Sequence, residues 1–455
     1  MMQSTRLFGT SGIRGVVNQD LTVELCQAVG HAIGATLATR SRVCVATDTR
    51  TTREIIKNTV TLSLLSSGID VTDLGILPTP ALALLTREMG FDTGIMITAS
   101  HNPQEYNGVK LFNSNAMGYS HCQEAELEQM IRQRTIKVSY PGTLIDGRQC
   151  RETYFRFVRD RFSRYNLDRH TRVVVDPGNG AAAGFATDLF STMGLTVLPI
   201  NDEPDGLFPG RNPEPKEDTL QGTIDFLRER KADLAVCFDG DADRVVFCDA
   251  EGFLGFNEVV AYLSRLAVKE TGKKRVATTV ETGRLVDMAV AGLGAEVVRG
   301  MVGDVDVAYL AKDIDAAIGV EAVGVYVIPQ AGYYPDSLIA TLTLLRHVRR
   351  PQEIREFFGG MPRLFFEKSK IQCPEDLKER VMVEVRKRAY LFGASSMNIL
   401  DGLRLEYDDA WMLIRASGTE PAIRVIAESA SRSRTVRLIA QGAEAIHSCL
   451  ARFEL

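Results

Sequence analysis

Residues 42–74, RVCVATDTRTTREIIKNTVTLSLLSSGIDVTDL, carry the strongest indication of the fold class. Arg42–Asp48 is a short apolar run rich in β-branched residues, which predicts a strand. Thr52–Ser67 has helical periodicity and is closed by Gly68, and Ile69–Leu74 is predicted to be a second strand. A strand, a helix and a strand in this order indicate an α/β layer.

The same rhythm recurs along most of the chain. The further predicted elements are helices at Pro80–Met89, Ala181–Met193 and Glu258–Glu270, and strands at Phe91–Thr98, Arg172–Asp176, Leu195–Ile200 and Arg275–Val280. The strand at Phe91–Thr98 leads into a polar loop. We therefore predict three similar α/β units with mixed sheets.

The C-terminal stretch has a different order of elements. A strand from Lys368, a helix at Glu375–Tyr390, three closely spaced strands through Asn398–Glu428 and a helix from about Ser433 predict an antiparallel α+β domain. The predicted domains are residues 1–150, 151–254, 255–366 and 367–455. A chain of 455 residues is too long for one hydrophobic core, so several domains are expected.

The composition is that of an ordinary globular protein, with 45% hydrophobic and 24% charged residues. There is no apolar run long enough to span a bilayer and no signal-peptide core, so no membrane partner is expected. A net charge of −5 argues against nucleic acid as the partner. The eight cysteines are scattered without a C-x-x-C pair, which indicates reduced thiols and a cytoplasmic location. The sequence does not indicate an oligomeric state.

The first motif with chemical potential is TASHNP at 98–103, followed by NGVK at 107–110. Ser100 follows a predicted strand, with His101 beside it and Lys110 near, so it can be an activated nucleophile or a phosphate carrier. Taken alone, the stretch could equally be a polar turn closed by Asn-Pro. A Ser-His-Asp hydrolase is disfavoured because no G-x-S-x-G elbow surrounds the serine.

The second motif is DGDADR at 239–244, after an apolar strand. Asp239, Asp241 and Asp243 would repel one another unless a cation joins them, and hard oxygen ligands suit Mg²⁺. A solvated acidic turn is the alternative.

Two glycine-containing turns carry arginines. In RASGTEP at 415–421, with Arg424 beyond it, hydroxyls and free N–H groups flanked by two guanidiniums are typical of a phosphate cradle. In FGTSGIRG at 8–15, three glycines allow close approach of a ligand and Arg14 supplies charge. The alternatives are a strand-ending turn with surface arginines and a flexible N-terminal loop.

Together with DTR at 48–50 and VGD at 302–304, and in the same order along the chain, these motifs resemble the α-D-phosphohexomutase family. The stretch VIPQAGYYPDS at 327–337 is more similar to archaeal members. The resemblance implies three α/β domains and a smaller α+β domain around a central cleft. It also implies a Mg²⁺-dependent mutase that moves a phosphoryl group between two hydroxyls of a sugar phosphate, with a sugar bisphosphate as intermediate and activator.

The resemblance also assigns roles to residues. Ser100 would be the phosphoserine and share the metal with Asp239, Asp241 and Asp243. His101 and Lys110 would act as general base and acid, and Arg14 and Arg244 would hold the transferring phosphate. The phosphate that does not react would be bound by Arg415, Ser417, Gly418, Thr419 and Arg424, and the sugar by Glu321 and Gly324.

The sugar-selecting loop departs from the family pattern G-E-x-S-G, often followed by His. Glu321 is retained, but Val323 replaces the serine and Val325 the histidine. The expected substrate is glucosamine, mannose or glucose phosphate. A pentose-phosphate mutase, a non-catalytic sugar-phosphate-binding paralogue and a metal-dependent phosphatase are the alternatives.

Overall fold

The computed structural model describes residues 6–165, 167, 171–348, 350, 352–418 and 420–453. The chain divides into two compact units. The first comprises Met1–Phe256 and Val323–Glu353, and the second comprises Asn257–Ala322 and Ile354–Leu455. Within the described part of the chain, no helix has both the length and the apolar character that crossing a membrane requires.

The N-terminal part of the first unit is built on a six-stranded mixed sheet in the order β1-β5-β4-β2-β3-β6. Its strands are β1 Ile13–Val16, β2 Arg42–Thr47, β3 Asp70–Ile76, β4 Thr93–Ile97, β5 Tyr106–Asn113 and β6 Leu144–Asp146. Its helices are α1 Val23–Thr36, α2 Arg53–Ser66, α3 Thr79–Glu88 and α4 His121–Arg132. Strand β2 pairs in parallel with β3 and β4, as the predicted strand–helix–strand pattern requires, whereas β5 runs antiparallel to β4.

The rest of the first unit contains a five-stranded sheet in the order β11-β10-β9-β7-β8. The elements are α5 Arg151–Phe162, β7 Arg172–Asp176, α6 Phe185–Thr192, β8 Thr196–Pro199, α7 Gln221–Glu229, β9 Leu234–Phe238, β10 Val245–Asp249 and β11 Gly252–Phe253. Strand β9 is parallel to β7, and β10 returns antiparallel to β9. This arrangement repeats that of β4 and β5.

The second unit begins within the helix α8 Phe256–Thr271. It continues through β12 Arg275–Thr279, α9 Leu285–Ala291, β13 Glu296–Gly300, α10 Asp304–Asp313 and β14 Ile318–Glu321. Strand β12 pairs in parallel with both β13 and β14. The chain then contributes β15 Val325–Val327 and α11 Ser337–Leu345 to the first unit, and α12 Gln352–Gly359 follows.

The C-terminal part of the second unit is an antiparallel sheet in the order β16-β20-β19-β18-β17, covered by helices. Its elements are β16 Phe365–Gln372, α13 Lys378–Lys387, β17 Ser396–Asn398, β18 Leu403–Glu406, β19 Ala410–Ala416, β20 Ala422–Ser429 and α14 Arg432–Leu450. Apolar side chains of the sheet pack with those of α13 and α14 in one buried cluster.

The predicted α/β and α+β classes are confirmed, and most predicted elements lie within a few residues of the observed ones. The helix predicted at Ala181–Met193 is shorter, because residues 181–184 form a turn that ends at Gly184 with a φ of +67°. The predicted C-terminal strands also lacked β17, whose Met397 is exposed and gives no pattern of burial.

Candidate active site

Two loops with the chemically distinctive motifs lie at equivalent places in the two sheets of the first unit. The serine loop, residues 98–105, follows the C-terminal end of β4 and leads into β5. The acidic loop, residues 239–244, follows the C-terminal end of β9 and leads into β10. Carboxyl ends of parallel strands are the usual place for ligand sites in α/β sheets.

The serine loop holds Ser100 against the acidic loop. The Ser100 hydroxyl is buried and donates a 2.6 Å hydrogen bond to Oδ2 of Asp239. Its backbone N–H donates to Oγ1 of Thr98 at 2.8 Å. The φ of Ser100 is +50°, a left-handed conformation that is costly for a residue with a side chain. The surrounding structure therefore fixes an unfavourable backbone that points the hydroxyl at the carboxylates.

The acidic cluster, Asp239, Asp241 and Asp243, is fully buried, and one carboxylate oxygen from each lies within 4.8 Å of the others. The Lys110 ammonium donates to Oδ2 of Asp241 at 2.7 Å and also to Asp243. Burial and the neighbouring carboxylates Asp243 and Asp241 raise the pKa of Asp239 well above its usual value. Burial also acts to raise the pKa of Asp241, but the charge of Lys110 and hydrogen bonds from Lys110 and Thr79 hold that pKa below its usual range.

The donor set of the acidic cluster fits a divalent cation. Three carboxylates of like charge are brought together in the protein interior, and Lys110 offsets a single charge. Among the described residues, Oδ1 of Asp241 is buried and has no hydrogen-bond partner. Buried carboxylate oxygens without donors are what a hard cation such as Mg²⁺ would satisfy. Asp239, Asp241 and Asp243, together with the Ser100 oxygen, are the groups that could hold it.

The predicted cationic residues of the first unit lie around the same two loops. Arg14 donates from Nη1 to Oδ1 of Asn102 at 3.1 Å, and the Arg244 side chain lies 3.8 Å from the carboxylate of Asp243. The imidazole of His101 lies with its Nδ1 3.3 Å from Oγ of Ser100. The charge of Arg244, followed by burial and by the charges of Arg14 and Lys110, lowers the pKa of His101 far below its usual value. These positive charges favour the neutral form of the His101 imidazole.

Thr79 is a member of this site that the sequence analysis missed. It is the first residue of α3 and donates its hydroxyl to Oδ2 of Asp241 at 2.6 Å. Its backbone N–H also donates to the carbonyl of Asp241 at 2.8 Å. The only signal in the sequence is a polar residue just after the C-terminal end of a parallel strand.

In the second unit, the two arginines of the predicted phosphate cradle are direct cross-strand neighbours. Arg415 on β19 is paired with Arg424 on β20, and the distal turn, residues 417–421, connects the two strands. Lys378 donates to the carbonyls of Ser417, at 2.6 Å, and of Glu420, at 3.1 Å, and so fixes the distal turn. Two like charges in register are unfavourable unless an anion or carboxylates lie nearby.

Carboxylates flank Arg415 in the structure. Its Nη1 donates to Glu281 at 3.3 Å, and its Nε lies 2.9 Å from Oδ2 of Asp401. A Cβ on Gly418 would meet no atom of the described residues within 4 Å, so the backbone at Gly418 borders open space. Thr419, which was also predicted to bind the phosphate, lies outside the described residues.

The predicted sugar-binding residues divide between the two units. Glu321 ends β14 in the second unit, is buried, and accepts a 3.0 Å hydrogen bond from the N–H of Gly303 in the VGD turn. Gly324 lies in the first unit with a φ of +88°, and its carbonyl accepts from the N–H of Val245 at 3.0 Å. Because a Cβ at Gly324 would lie 2.7 Å from the carbonyl oxygen of Val245, this position requires glycine.

Models of the phosphoglucomutase/phosphomannomutase family match four successive segments of the chain. The α/β/α domains I, II and III match residues 5–137, 152–252 and 257–363, and the C-terminal domain matches residues 370–445. These segments cover most of both units and contain all the motifs described above.

Individual proteins are similar over nearly the whole chain. A probable phosphoglucosamine mutase of Pyrococcus abyssi is 37% identical over 451 residues, which is 98% of this chain and 99% of the relative. One of Methanopyrus kandleri is 37% identical over 458 residues, with 98% of each chain covered. The solved structure of a phosphoglucomutase/phosphomannomutase family protein from Burkholderia thailandensis is 25% identical and superposes with a TM-score of 0.86 over 98% of both chains.

Proposed function

The chain belongs to the phosphoglucomutase/phosphomannomutase family, and from this premise we propose that it interconverts hexosamine 1-phosphate and 6-phosphate through a phosphorylated Ser100. Its class is that of the hexose-phosphate mutases, which are intramolecular phosphotransferases. The phosphoserine, the bisphosphate intermediate and the particular sugar are the proposed parts.

One observation supports the phosphoserine most directly. The Ser100 hydroxyl donates a 2.6 Å hydrogen bond to Asp239, one of the three buried carboxylates of the acidic cluster. A serine that served only as a structural turn has no need for a left-handed backbone or for an acidic cluster beside it. Both features suit a residue whose oxygen carries a phosphoryl group next to a cation.

The acidic cluster would hold Mg²⁺ together with an oxygen of Ser100 or of its phosphate. When bound, this cation neutralises charge on the phosphoryl oxygens. Two arginines supply further positive charge from the protein. Arg14 donates to Asn102 of the serine loop, and Arg244 lies beside Asp243. Phosphoryl transfer depends mainly on positioning and on cancelling charge, so these groups account for most of the chemistry that the site must perform.

Two residues near Ser100 are suited to moving the sugar hydroxyl's proton. Nδ1 of His101 lies 3.3 Å from Oγ of Ser100, so its imidazole is placed to accept the proton of a hydroxyl that attacks there, and the negative charge of a bound phosphate would raise its lowered pKa. Lys110 is buried and hydrogen-bonded to the acidic cluster, so its ammonium can donate a proton to the departing serine oxygen. We propose these two residues as the base and the acid respectively, with the roles exchanged in the reverse direction.

The cross-strand arginines of the second unit would bind the phosphate that does not react. Phosphoserine gives its phosphoryl group to the free hydroxyl of the sugar and forms a bound bisphosphate. The bisphosphate reverses its orientation, and its other phosphate then restores phosphoserine. Arg415, Ser417, Gly418, Thr419 and Arg424 must therefore accept either phosphate in turn, and a free sugar bisphosphate would act as the activator.

The proposed hexosamine specificity involves the carboxylate of Glu321, which the family pattern shares, and the replacement of the family's serine by Val323. This carboxylate is buried and fixed by the N–H of Gly303, while Val323 in the same loop lacks a hydroxyl for hydrogen bonding. The Glu321 carboxylate could pair with the ammonium group of glucosamine phosphate or accept hydrogen bonds from sugar hydroxyls, so it fits a hexosamine without excluding a neutral hexose. The names of the two relatives from Pyrococcus and Methanopyrus agree with this choice.

We further propose the domain boundaries near residues 150, 254 and 366 and a cytoplasmic location. The matched family segments leave short gaps close to each of these positions. All eight cysteines are free thiols, which fits a reducing compartment.

The proposal is tested by incubating the protein with glucose 1,6-bisphosphate and Mg²⁺ and measuring its intact mass. We expect one added phosphoryl group in the wild-type protein and in Ser114→Ala, which removes an exposed serine. Ser100→Ala should gain none and should lose mutase activity. A coupled assay with glucosamine, mannose, glucose and ribose 1-phosphates then ranks the substrates, and free phosphate is measured in parallel. Phosphorylation of Ser100→Ala, or release of free phosphate as the main reaction, would contradict the proposal.

A further inference from the structure

The DTR turn, Asp48, Thr49 and Arg50, lies directly behind the serine loop. It follows the C-terminal end of β2, which is a neighbour of β4 in the sheet. Arg50 is completely buried although it carries a charge, and its guanidinium uses all five N–H groups. An arginine is rarely buried completely unless its N–H groups are paired, and here most of them pair with backbone carbonyls of the serine loop.

Arg50 binds the backbone of the serine loop from inside the protein. Its Nη2 donates to the carbonyls of Ser100, at 2.9 Å, and Asn102, at 2.6 Å. Its Nη1 donates to the carbonyl of Tyr106 at 2.9 Å and also to that of Pro103. One planar group therefore holds four carbonyls, and a lysine could not reproduce this arrangement with three donors on a single atom.

Asp48 is connected through Thr98 to the N–H of Ser100, whereas Arg50 holds the carbonyl of the same residue. It accepts hydrogen bonds from Nε of Arg50, at 3.1 Å, and from the hydroxyl of Thr98, at 2.7 Å. The oxygen of Thr98 in turn accepts the N–H of Ser100 at 2.8 Å. Both the N–H and the carbonyl of Ser100 are thus connected to the DTR turn, and these bonds offset the cost of its left-handed backbone.

Thr49 links the DTR turn to the acidic loop. Its hydroxyl donates to the carbonyl of Asn179 at 2.9 Å, and the nearby N–H of Ala181 donates to the carbonyl of Gly240 at 2.9 Å. A Cβ on Gly240 would lie 2.5 Å from the carbonyl oxygen of Ser100. The acidic loop therefore packs directly on the Ser100 backbone, at a distance that only glycine permits.

We propose that the DTR turn is a positioning device for phosphoryl transfer, with Arg50 as its central residue. It fixes Ser100 in its left-handed backbone conformation, and it thereby sets the distance between the Ser100 hydroxyl oxygen and the acidic cluster. This inference rests on the proposed role of Ser100. A displacement of about 1 Å between reacting groups costs on the order of a hundredfold in rate, so Arg50 should control kcat while the groups that bind the substrate stay intact.

The test compares Arg50→Lys with Arg299→Lys, both in the full-length protein. Arg299 is a mostly buried arginine that donates to Asp287 at 2.9 Å in the second unit, so its replacement also removes a guanidinium from a carboxylate pair. Thermal unfolding, mutase kinetics with glucosamine 1-phosphate, and hydrogen exchange of the amides in residues 98–106 are measured for both variants and the wild type.

For Arg50→Lys we expect kcat to fall about a hundredfold with KM changed by less than about threefold. Amides of the serine loop should exchange about tenfold faster than in the wild type. Arg299→Lys should lower the unfolding temperature without either effect. A kcat per folded molecule within about threefold of wild type for Arg50→Lys, or unchanged exchange in the serine loop, would overturn the proposal.

If Arg50→Lys does not fold, Thr98→Val replaces it, because this near-isosteric change removes only the link between Asp48 and the N–H of Ser100. Its kcat should fall about tenfold at unchanged KM. Absence of phosphorylation in the wild-type protein would instead remove the proposed function. The hydrogen-exchange comparison would still decide whether Arg50 holds the loop.

Discussion

Thr79 donates both its hydroxyl and its backbone N–H to Asp241, the central residue of the acidic cluster. The hydroxyl bond is 2.6 Å and the N–H bond to the carbonyl is 2.8 Å, across 162 positions of the chain. These two bonds fix the orientation of a carboxylate whose other oxygen, Oδ1, has no hydrogen-bond partner among the described residues. Groups that orient a metal ligand in this way contribute to metal affinity although they do not touch the metal.

We therefore expect Thr79→Val to weaken Mg²⁺ binding. Valine keeps the shape and the backbone N–H of threonine, but its side chain cannot donate to Oδ2 of Asp241, so the carboxylate is held less firmly, with the bond from Lys110 remaining. The Mg²⁺ concentration for half-maximal activity should rise about tenfold or more, as for other residues that support metal ligands. Thr86→Val is the matched control, because Thr86 is buried on the same helix and donates to the carbonyl of Leu82. An equal shift in both variants would contradict the expectation.

Lys110 offers a prediction on stability. Its ammonium neutralises part of the buried acidic cluster, and without it the carboxylates of Asp241 and Asp243 would lose their ion pairs. Removing one partner of a buried ion pair typically costs about 3–5 kcal/mol. Lys110→Met should accordingly unfold at a lower temperature than the wild type in EDTA.

Magnesium should partly reverse this effect. A cation that binds only the folded protein stabilises it, and the gain should be larger where Lys110 no longer offsets the negative charge. The measurement is thermal unfolding of the wild type and Lys110→Met, each in EDTA and in Mg²⁺. Lys57→Met is the control, since Lys57 pairs with Asp73 outside the site. A Mg²⁺ response of Lys110→Met no larger than that of the wild type would disprove the expectation.

Candidate site residues whose neighbours are local in sequence could be grouped from the sequence. Three aspartates at alternate positions in one loop stay close together in any fold, and Ser100 follows a strand that is recognisable from its own apolar residues. Strand β17 was missed because its exposed side chains show no burial pattern. Local propensity and periodicity therefore explain the α/β layering better than they explain edge strands.

Residues that act through distant contacts could not be predicted in this way. Arg50 and Thr79 have no local feature that separates them from ordinary turn and helix-start residues. Arg50 meets the carbonyl of Ser100 because β2 and β4 are parallel neighbours, whereas Thr79 meets the carboxylate of Asp241 from a different sheet. Only the folded chain reveals these partners.

Asp336 is expected to make stability depend on pH. It caps the N-terminus of α11, accepts the N–H of Ile339 and the hydroxyl of Tyr154 at 2.9 Å each, and is almost fully buried. Burial raises its pKa from 3.8 to about 7. The other ionisable groups that act on it are Tyr334 and Arg161.

The sign of this dependence follows from proton binding. Between about pH 4 and pH 7 the folded protein binds a proton on Asp336 that the unfolded chain has lost, so stability falls as pH rises through this window. Asp336→Asn stays uncharged and keeps an acceptor oxygen, so its stability should vary less and exceed that of the wild type at pH 8 by about 1–3 kcal/mol. Denaturant unfolding at pH 5 and pH 8 measures this, with Asp160→Asn as an exposed control on α5. Parallel pH curves for the wild type and Asp336→Asn would refute the assignment.

The pairing of Arg415 with Arg424 predicts a conflict between stability and substrate binding. Like charges directly opposite each other across two strands cost about 0.2–1 kcal/mol, so Arg424→Met should leave stability unchanged or slightly higher. The same change should raise the KM for hexosamine phosphate about tenfold or more, because a charged hydrogen bond to phosphate is lost. Arg437→Met, on an exposed part of α14, is the control. A loss of stability without a change in KM would assign Arg424 to the fold.

The loop at Val320–Val325 departs from the family pattern at Val323 and at Val325, and these two residues differ in their burial. Val325 is fully buried in β15, and its backbone pairs with that of Arg244 in an isolated antiparallel β-bridge. Val323 is only half-buried, in the turn before Gly324. Val325→His should thus lower stability by about 1–3 kcal/mol, because a polar ring would be buried there without an assigned partner. Val323 is therefore the residue of the two whose replacement we expect to affect the choice of sugar.

We expect the wild-type protein to turn over glucose 1-phosphate poorly compared with its preferred sugar. A sugar hydroxyl that faces Val323 in a closed site has no donor or acceptor, which costs about 1–3 kcal/mol, and the sugar must bind in two reversed orientations. Val323→Ser should therefore raise kcat/KM for glucose 1-phosphate or mannose 1-phosphate relative to the preferred sugar. Val323→Ala removes a similar volume without adding a hydroxyl and separates hydrogen bonding from space. If the wild type already handles glucose 1-phosphate as well as glucosamine 1-phosphate, and serine and alanine at 323 give the same ratio, the loop does not set specificity.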